Sequence, residues 1–200
     1  MKMNFDNFEI TADAYYKRAA VIIDQFNRTL NPSFLFYAVL EFRFCIERLL
    51  FEYIVILSKG DMSRISKSME KLYRAKNLKD QILELEPDFV CKIQFINLFF
   101  EAIGAQAKMK TPDLDSFEKL YGQLGDYLHA PKRPDKSVKD PEWWNHLHNL
   151  LSQLSSTLID ILRHPIASFD PTDSGWALFN KFKSGEIDEA EVIAQLRKSR

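Results

Sequence analysis

The chain has 200 residues, 46% of them hydrophobic, with only 6 Gly, 8 Pro and 2 Cys against 16 Phe. That length suits one domain with a modest appendage, and the composition excludes disordered, collagen-like and low-complexity classes. With 27 Lys+Arg against 28 Asp+Glu, no global field draws the protein to nucleic acid or to an anionic membrane, so any such binding must be local.

Apolar residues recur three and four apart throughout, and no sustained alternation appears, so the elements read as helices. Asp6 and Glu9 interrupt any apolar leader at the N-terminus, and the expected location is cytoplasmic. The first predicted helix runs from about Thr11 to Asn27, with Tyr15, Ala19, Ile22, Ile23 and Phe26 on one stripe. Asn31-Pro32 starts a long second helix that stops near Lys59-Gly60. Glu41, Arg43, Glu47, Arg48 and Glu52 interrupt its apolar run, which makes it a core helix and not a bilayer span. A third helix is predicted over about Met62 to Leu78, and a fourth over Phe89 to Lys108 that is apolar on most sides and hence central. Thr111-Pro112 opens a fifth ending around His129, and Asp140-Pro141 opens a sixth running to Arg163, where His164-Pro165 stops it. Beyond Pro165 a turn-rich linker, Asp170 to Gly175, leads to two short helices split by Ser184-Gly185-Glu186. The predicted architecture is therefore all-α: an up-and-down bundle of about six helices over 1–165, with a linker and a C-terminal helical hairpin over 166–200.

The second helix carries two charge stripes. At about 100° per residue, Glu41, Arg48 and Glu52 share a narrow sector, and Arg43 and Glu47 lie about 100° or more away. Arg43 with Glu47, and Arg48 with Glu52, have the spacing of internal ion pairs. Glu41 has no such neighbour, so its partner must come from another helix, and it is the first acid to consider for a site.

The fifth helix has a core stripe of Leu114, Phe117, Leu120, Tyr121, Leu124 and Leu128, with Gly122, Gly125 and His129 on another edge. A glycine inside a helix costs about 0.8–1 kcal/mol against Ala, so this pair implies either close packing against a neighbour or a shallow surface where a ligand approaches His129. The basic loop that follows, with Lys132 and Arg133, is a place to seek phosphate contacts. The third predicted helix aligns Arg64, Lys67, Lys71 and Arg74, and seven basic residues from Lys59 to Lys79 face only Asp61 and Glu70, a local charge of +5. That stripe is either a solvated face or a sequence-independent nucleic-acid contact.

His146 and His148 flank their helix's apolar stripe from opposite sides, and no His/Cys/Asp/Glu spacing suits a metal. Cys45 and Cys91 lie in apolar runs as buried thiols. No GxGxxG, Walker A, GxSxG or kinase pattern occurs, and no cofactor is expected.

Two segments, Ala38-Val39-Leu40-Glu41-Phe42-Arg43-Phe44-Cys45-Ile46-Glu47-Arg48-Leu49-Leu50 and Leu124-Gly125-Asp126-Tyr127-Leu128-His129-Ala130, resemble the HEPN superfamily of α-helical bundles. The resemblance implies a helical bundle, often dimeric. In active members it implies a metal-independent ribonuclease of toxin–antitoxin or phage-defence systems, with an Arg, four to six residues, then a His. His129 stands at the histidine, whereas Leu124, Gln123 and Tyr121-Gly122 stand where the arginine belongs. The run Trp176 to Leu196 resembles SHOCT-type terminal hairpins, and its Trp176, Phe179, Phe182, Ile193 and Leu196 either dock on the bundle or meet a partner chain.

These features together lead to the expectation of a non-enzymatic, HEPN-like interaction or assembly module, self-associating or bound to a protein partner, with defence or toxin control as its setting. The alternatives are a ribonuclease using His129 with help from Glu41, Lys132 or Arg133, and RNA or other nucleic-acid binding through the basic stripe.

Overall fold

The computed structural model of the chain describes residues 9–61, 75–105, 108–129, 140–164 and 173–198. The described residues form eight helices and no strand: α1 (Ala12–Thr29), α2 (Ser33–Leu57), α3 (Ala75–Leu85), α4 (Phe89–Ala102), α5 (Leu114–His129), α6 (Pro141–Leu162), α7 (Asp173–Lys183) and α8 (Glu189–Lys198). None of these helices is long and apolar enough to cross a membrane.

The helix ends follow the local chemistry of the sequence. Thr11 caps α1 by accepting from the Ala14 amide at 3.1 Å, and Leu30 closes it in the left-handed region at φ 54°. Asn31 Oδ1 accepts from the Ser33 amide at 3.0 Å, which satisfies one of the unpaired donors at the start of α2. Asp113 does this for α5, accepting from Asp115 at 3.1 Å and Ser116 at 3.2 Å, so that helix starts just past Thr111-Pro112. Asp140 caps α6 with Pro141 in its first turn. In the hairpin, Gly185 turns the chain at φ +75°, and Asp188 and Glu191 form a reciprocal capping box on α8.

The centre of the bundle is α2, whose Leu35, Ala38, Val39, Phe42, Cys45, Ile46, Leu50 and Ile54 have at most 1% exposure. α1 packs along one side of it through Ala12 and Ala19, small residues that let the backbones approach until the Cys45 thiol donates to the Ala12 carbonyl at 3.2 Å. On the other side α5 contributes Phe117 and Leu124, and α3 and α6 complete the cluster with Leu78, Ile82, Leu147, Leu151, Leu154 and Leu158. Lys79 ties α3 to α5 by pairing with Asp115 at 2.5 Å and Glu118 at 2.8 Å. Phe36, Tyr127, Trp143 and Trp144 pack as a chain of rings at the end where α5 stops.

Two expectations are corrected. The described part of the third helix is Ala75–Leu85, so the helix ends past the predicted Leu78, and the rest of the predicted span, residues 62–74, lies outside the described residues. The fourth helix stops at Ala102 and is not central. Apart from Phe89, which meets Tyr53 edge-on at 5.7 Å, its buried apolar side chains lie outside the main core, and a separate cluster joins Phe95 and Leu98 to Phe179 and Val192 of the hairpin. Its hydrophobicity on most sides is used by α7 and α8 from one direction and by Met109 from another.

The hairpin thus docks on its own chain. Phe179 is 2% exposed and stacks edge-on against Phe95 at 5.5 Å, Lys183 pairs with Asp88 at 2.5 Å, and Lys92 lies 4.7 Å over the Trp176 ring. Phe179→Ala is expected to remove about 3–5 kcal/mol from this cluster and to expose residues 173–198 to protease while the bundle stays helical by circular dichroism. Protection equal to wild type would show that Phe179 does not hold the hairpin down.

Candidate functional site

The two charge stripes of α2 have different fates. Toward α1, Glu41 accepts from Arg18 Nε at 2.9 Å, which is the cross-helix partner its isolation requires. Glu52 accepts from Arg48 Nε at 3.3 Å and from the Ala12 amide at 3.0 Å, placing a carboxylate on the positive end of α1. Every acid on this side holds the α1–α2 contact together.

Toward α5 the expected pair does not form. The Glu47 carboxylate accepts from the Tyr121 hydroxyl, while the Arg43 guanidinium lies 4.0 Å above the Tyr121 ring centre. Among the described residues Arg43 has no carboxylate within ion-pair distance, although it is close enough to favour the Glu47 anion. Burial pushes the Glu47 carboxyl above its ordinary value, against the Tyr121 hydrogen bond and the Arg43 charge. Tyr121 is raised as well, by burial and by Glu47.

Gly125 is the seat of this guanidinium. A Cβ at Gly125 would stand 2.8 Å from Arg43 Nη1, whereas one at Gly122 would meet nothing. The space that a side chain at Gly125 would enter is thus taken by the guanidinium of an arginine from the neighbouring helix. Arg43 meets Tyr121 and Gly125, and Glu47 meets Tyr121, so α5 runs antiparallel to α2. His129, the exposed last residue of α5, follows Gly125 by four positions. Residues so spaced are on one helix face with Cβ atoms about 5–6 Å apart, and helical side chains lean toward the N-terminus. The Arg43 guanidinium and the His129 imidazole thus border one edge of α5.

Glu41, one of the groups expected to assist His129, is turned away from this edge. Glu41 and Arg43 point about 160° apart around α2, Glu41 facing α1 and Arg43 facing α5. His129 thus shares the α5 edge on which Arg43 lies, and Glu41 does not. Of the other candidates, Arg64, Lys67, Lys71, Arg74, Lys132 and Arg133 lie outside the described residues. Trp176, Phe179, Phe182, Ile193 and Leu196 all contribute to the cluster with α4. No group of three His, Cys, Asp or Glu side chains among the described residues is placed to hold a metal ion.

Arg43 was legible in part: it stands on the α2 stripe opposite Glu41, and Gly125 asks for something to fill its notch. Compared with protein-family models, with curated proteins and with solved structures, the chain gives no match.

Glu47 supplies a test of the local electrostatics. Its raised carboxyl pKa means that its contribution to stability is fully present below the unfolded value and is lost as pH rises through the folded value. Glu47→Gln keeps an acceptor for Tyr121 and removes the buried charge. It is expected to stabilise the fold at pH 7, with the gain vanishing below pH ~4.5, the ordinary range of the group, in denaturant unfolding at the two pH values. An equal gain at both would show that the Glu47 charge carries no cost.

Proposed function

We propose that the Arg43–Gly125–His129 edge binds an RNA phosphodiester, and that the chain is a HEPN-like, metal-independent ribonuclease. The observation that carries this reading is the Arg43 guanidinium, set in the Gly125 notch with no carboxylate partner among the described residues. A half-buried guanidinium seeks a charge-assisted partner, and its planar fork matches a phosphate. The resemblance to HEPN proteins calls for an arginine shortly before the histidine on one helix. Here Arg43 reaches an equivalent region of α5 from α2, which weakens the argument for a non-enzymatic module drawn from the missing arginine.

The chemistry this supports is transesterification. The 2′-hydroxyl attacks the adjacent phosphorus, the P–O5′ bond breaks, and the products carry a 2′,3′-cyclic phosphate and a 5′-hydroxyl. A proton leaves the 2′-oxygen and a proton reaches the 5′-oxygen. A histidine suits either transfer near neutral pH, so His129 takes one and water the other. Arg43 holds the phosphate and stabilises the charge that builds on its oxygens.

A second reading, the assembly module, has its own observation. Tyr37, Leu40 and Phe44 are 58%, 39% and 45% exposed along the outer face of α2, an apolar stripe of the kind that supports self-association. A role in defence or toxin control suits either reading.

With EDTA present, wild-type protein is expected to cut RNA to 2′,3′-cyclic phosphate ends. Arg43→Ala and His129→Ala are each expected to slow cleavage about 10²–10³-fold with thermal unfolding little changed. Intact RNA, or variants that cut as well as wild type, would overturn the ribonuclease reading, and a dimer by sedimentation would then support the assembly module.

A further inference from the structure

We infer that Tyr121 is a positioning residue that keeps Arg43 open to an anion by holding Glu47 away from it; this rests on the phosphate-site reading above. Arg43 and Glu47 are four residues apart on one helix, a spacing at which opposite charges pair. A single side chain from α5 stands between them. Its hydroxyl donates to Glu47 Oε1, and its ring face supports the Arg43 guanidinium at 4.0 Å. The acid is thus satisfied by a neutral donor, and the base lies against the ring and the hydroxyl of the same side chain, which hold it without neutralising it.

The neighbouring charges do not compensate Arg43 in place of Glu47. Glu41 is committed to Arg18, Glu52 to Arg48 and the Ala12 amide, and Asp115 and Glu118 to Lys79. Gly125 completes the arrangement, because any side chain there would displace the guanidinium from its seat.

Loss of the Tyr121 hydroxyl therefore has an electrostatic consequence that differs from loss of packing. In Tyr121→Phe the ring remains, the freed carboxylate turns to Arg43, and the ion pair closes the site. Removing the acid as well, in Tyr121→Phe with Glu47→Gln, leaves nothing to close it. A tyrosine whose role is only structural predicts the opposite, since a second substitution would not repair the first.

The test uses the full chain at pH 7 and low salt, with a short fluorescein-labelled 2′-O-methyl oligoribonucleotide that binds but lacks the nucleophile. Anisotropy is expected to show binding weakened about tenfold by Arg43→Ala, as for a lost charge-assisted contact. Tyr121→Phe should weaken it by a similar factor, Glu47→Gln should not weaken it, and the double variant should return to the Glu47→Gln affinity. Unchanged binding in Tyr121→Phe, or a double variant as weak as Tyr121→Phe alone, would overturn the inference while leaving an Arg43-dependent site intact. Binding that does not depend on Arg43 would overturn the phosphate-site reading and this inference with it.

Discussion

The structure depends on how α2, a helix buried along most of its length, disposes of the five charged side chains on its flanks. Ten of its residues are buried, so the charges occupy seams where neighbours cover them partly. A partly desolvated charge is costly unless it is paired or hydrogen-bonded. α1 meets that requirement on one side with Arg18 and its own first amide. α5 meets it on the other with a tyrosine and a glycine. The two seams differ in outcome: the first closes on itself as matched charges, and the second keeps a guanidinium with no carboxylate partner among the described residues.

That asymmetry links packing to chemistry. The α1 seam is a stabilising contact in which small side chains at Ala12 and Ala19 bring the backbones together and the ion pairs finish the edge. The α5 seam gives up an i,i+4 ion pair, worth about 0.3–0.5 kcal/mol on a helix surface, and the helical propensity of a residue at Gly125. The return is a cation set against the Tyr121 ring and the Gly125 backbone, four residues before His129 on α5. Functional sites characteristically break a local rule of this kind, with the surrounding fold supplying the stability.

Much of the fold was legible because its punctuation is chemical. Thr11, Asn31, Asp140 and Asp188 mark helix starts by side-chain acceptors, and the lone acid Glu41 announced a partner on another helix, which Arg18 proved to be. The position of α4 was not legible, since an apolar helix surface does not state what covers it, and the hairpin that covers part of it lies about 80 residues away. The pairing of Arg43 with Glu47 was misread for a related reason. Their spacing is local, whereas the hydroxyl that separates them comes from α5, more than 70 positions later. Gly122 and Gly125 were visible as a pair that asked for a reason, and that Gly125 faces Arg43 while Gly122 faces nothing was visible only in three dimensions.

The central claim is that Arg43 and His129 form one phosphate-binding edge. It is tested most directly by NMR of the full chain, following the Arg43 Nε–H and His129 ring signals as uridine 3′-monophosphate is added. The account predicts that both signals shift together along one saturating curve, and that Arg43→Ala abolishes the His129 shift. A His129 signal that moves independently of Arg43, or an Arg43 signal that does not move at all, would contradict it.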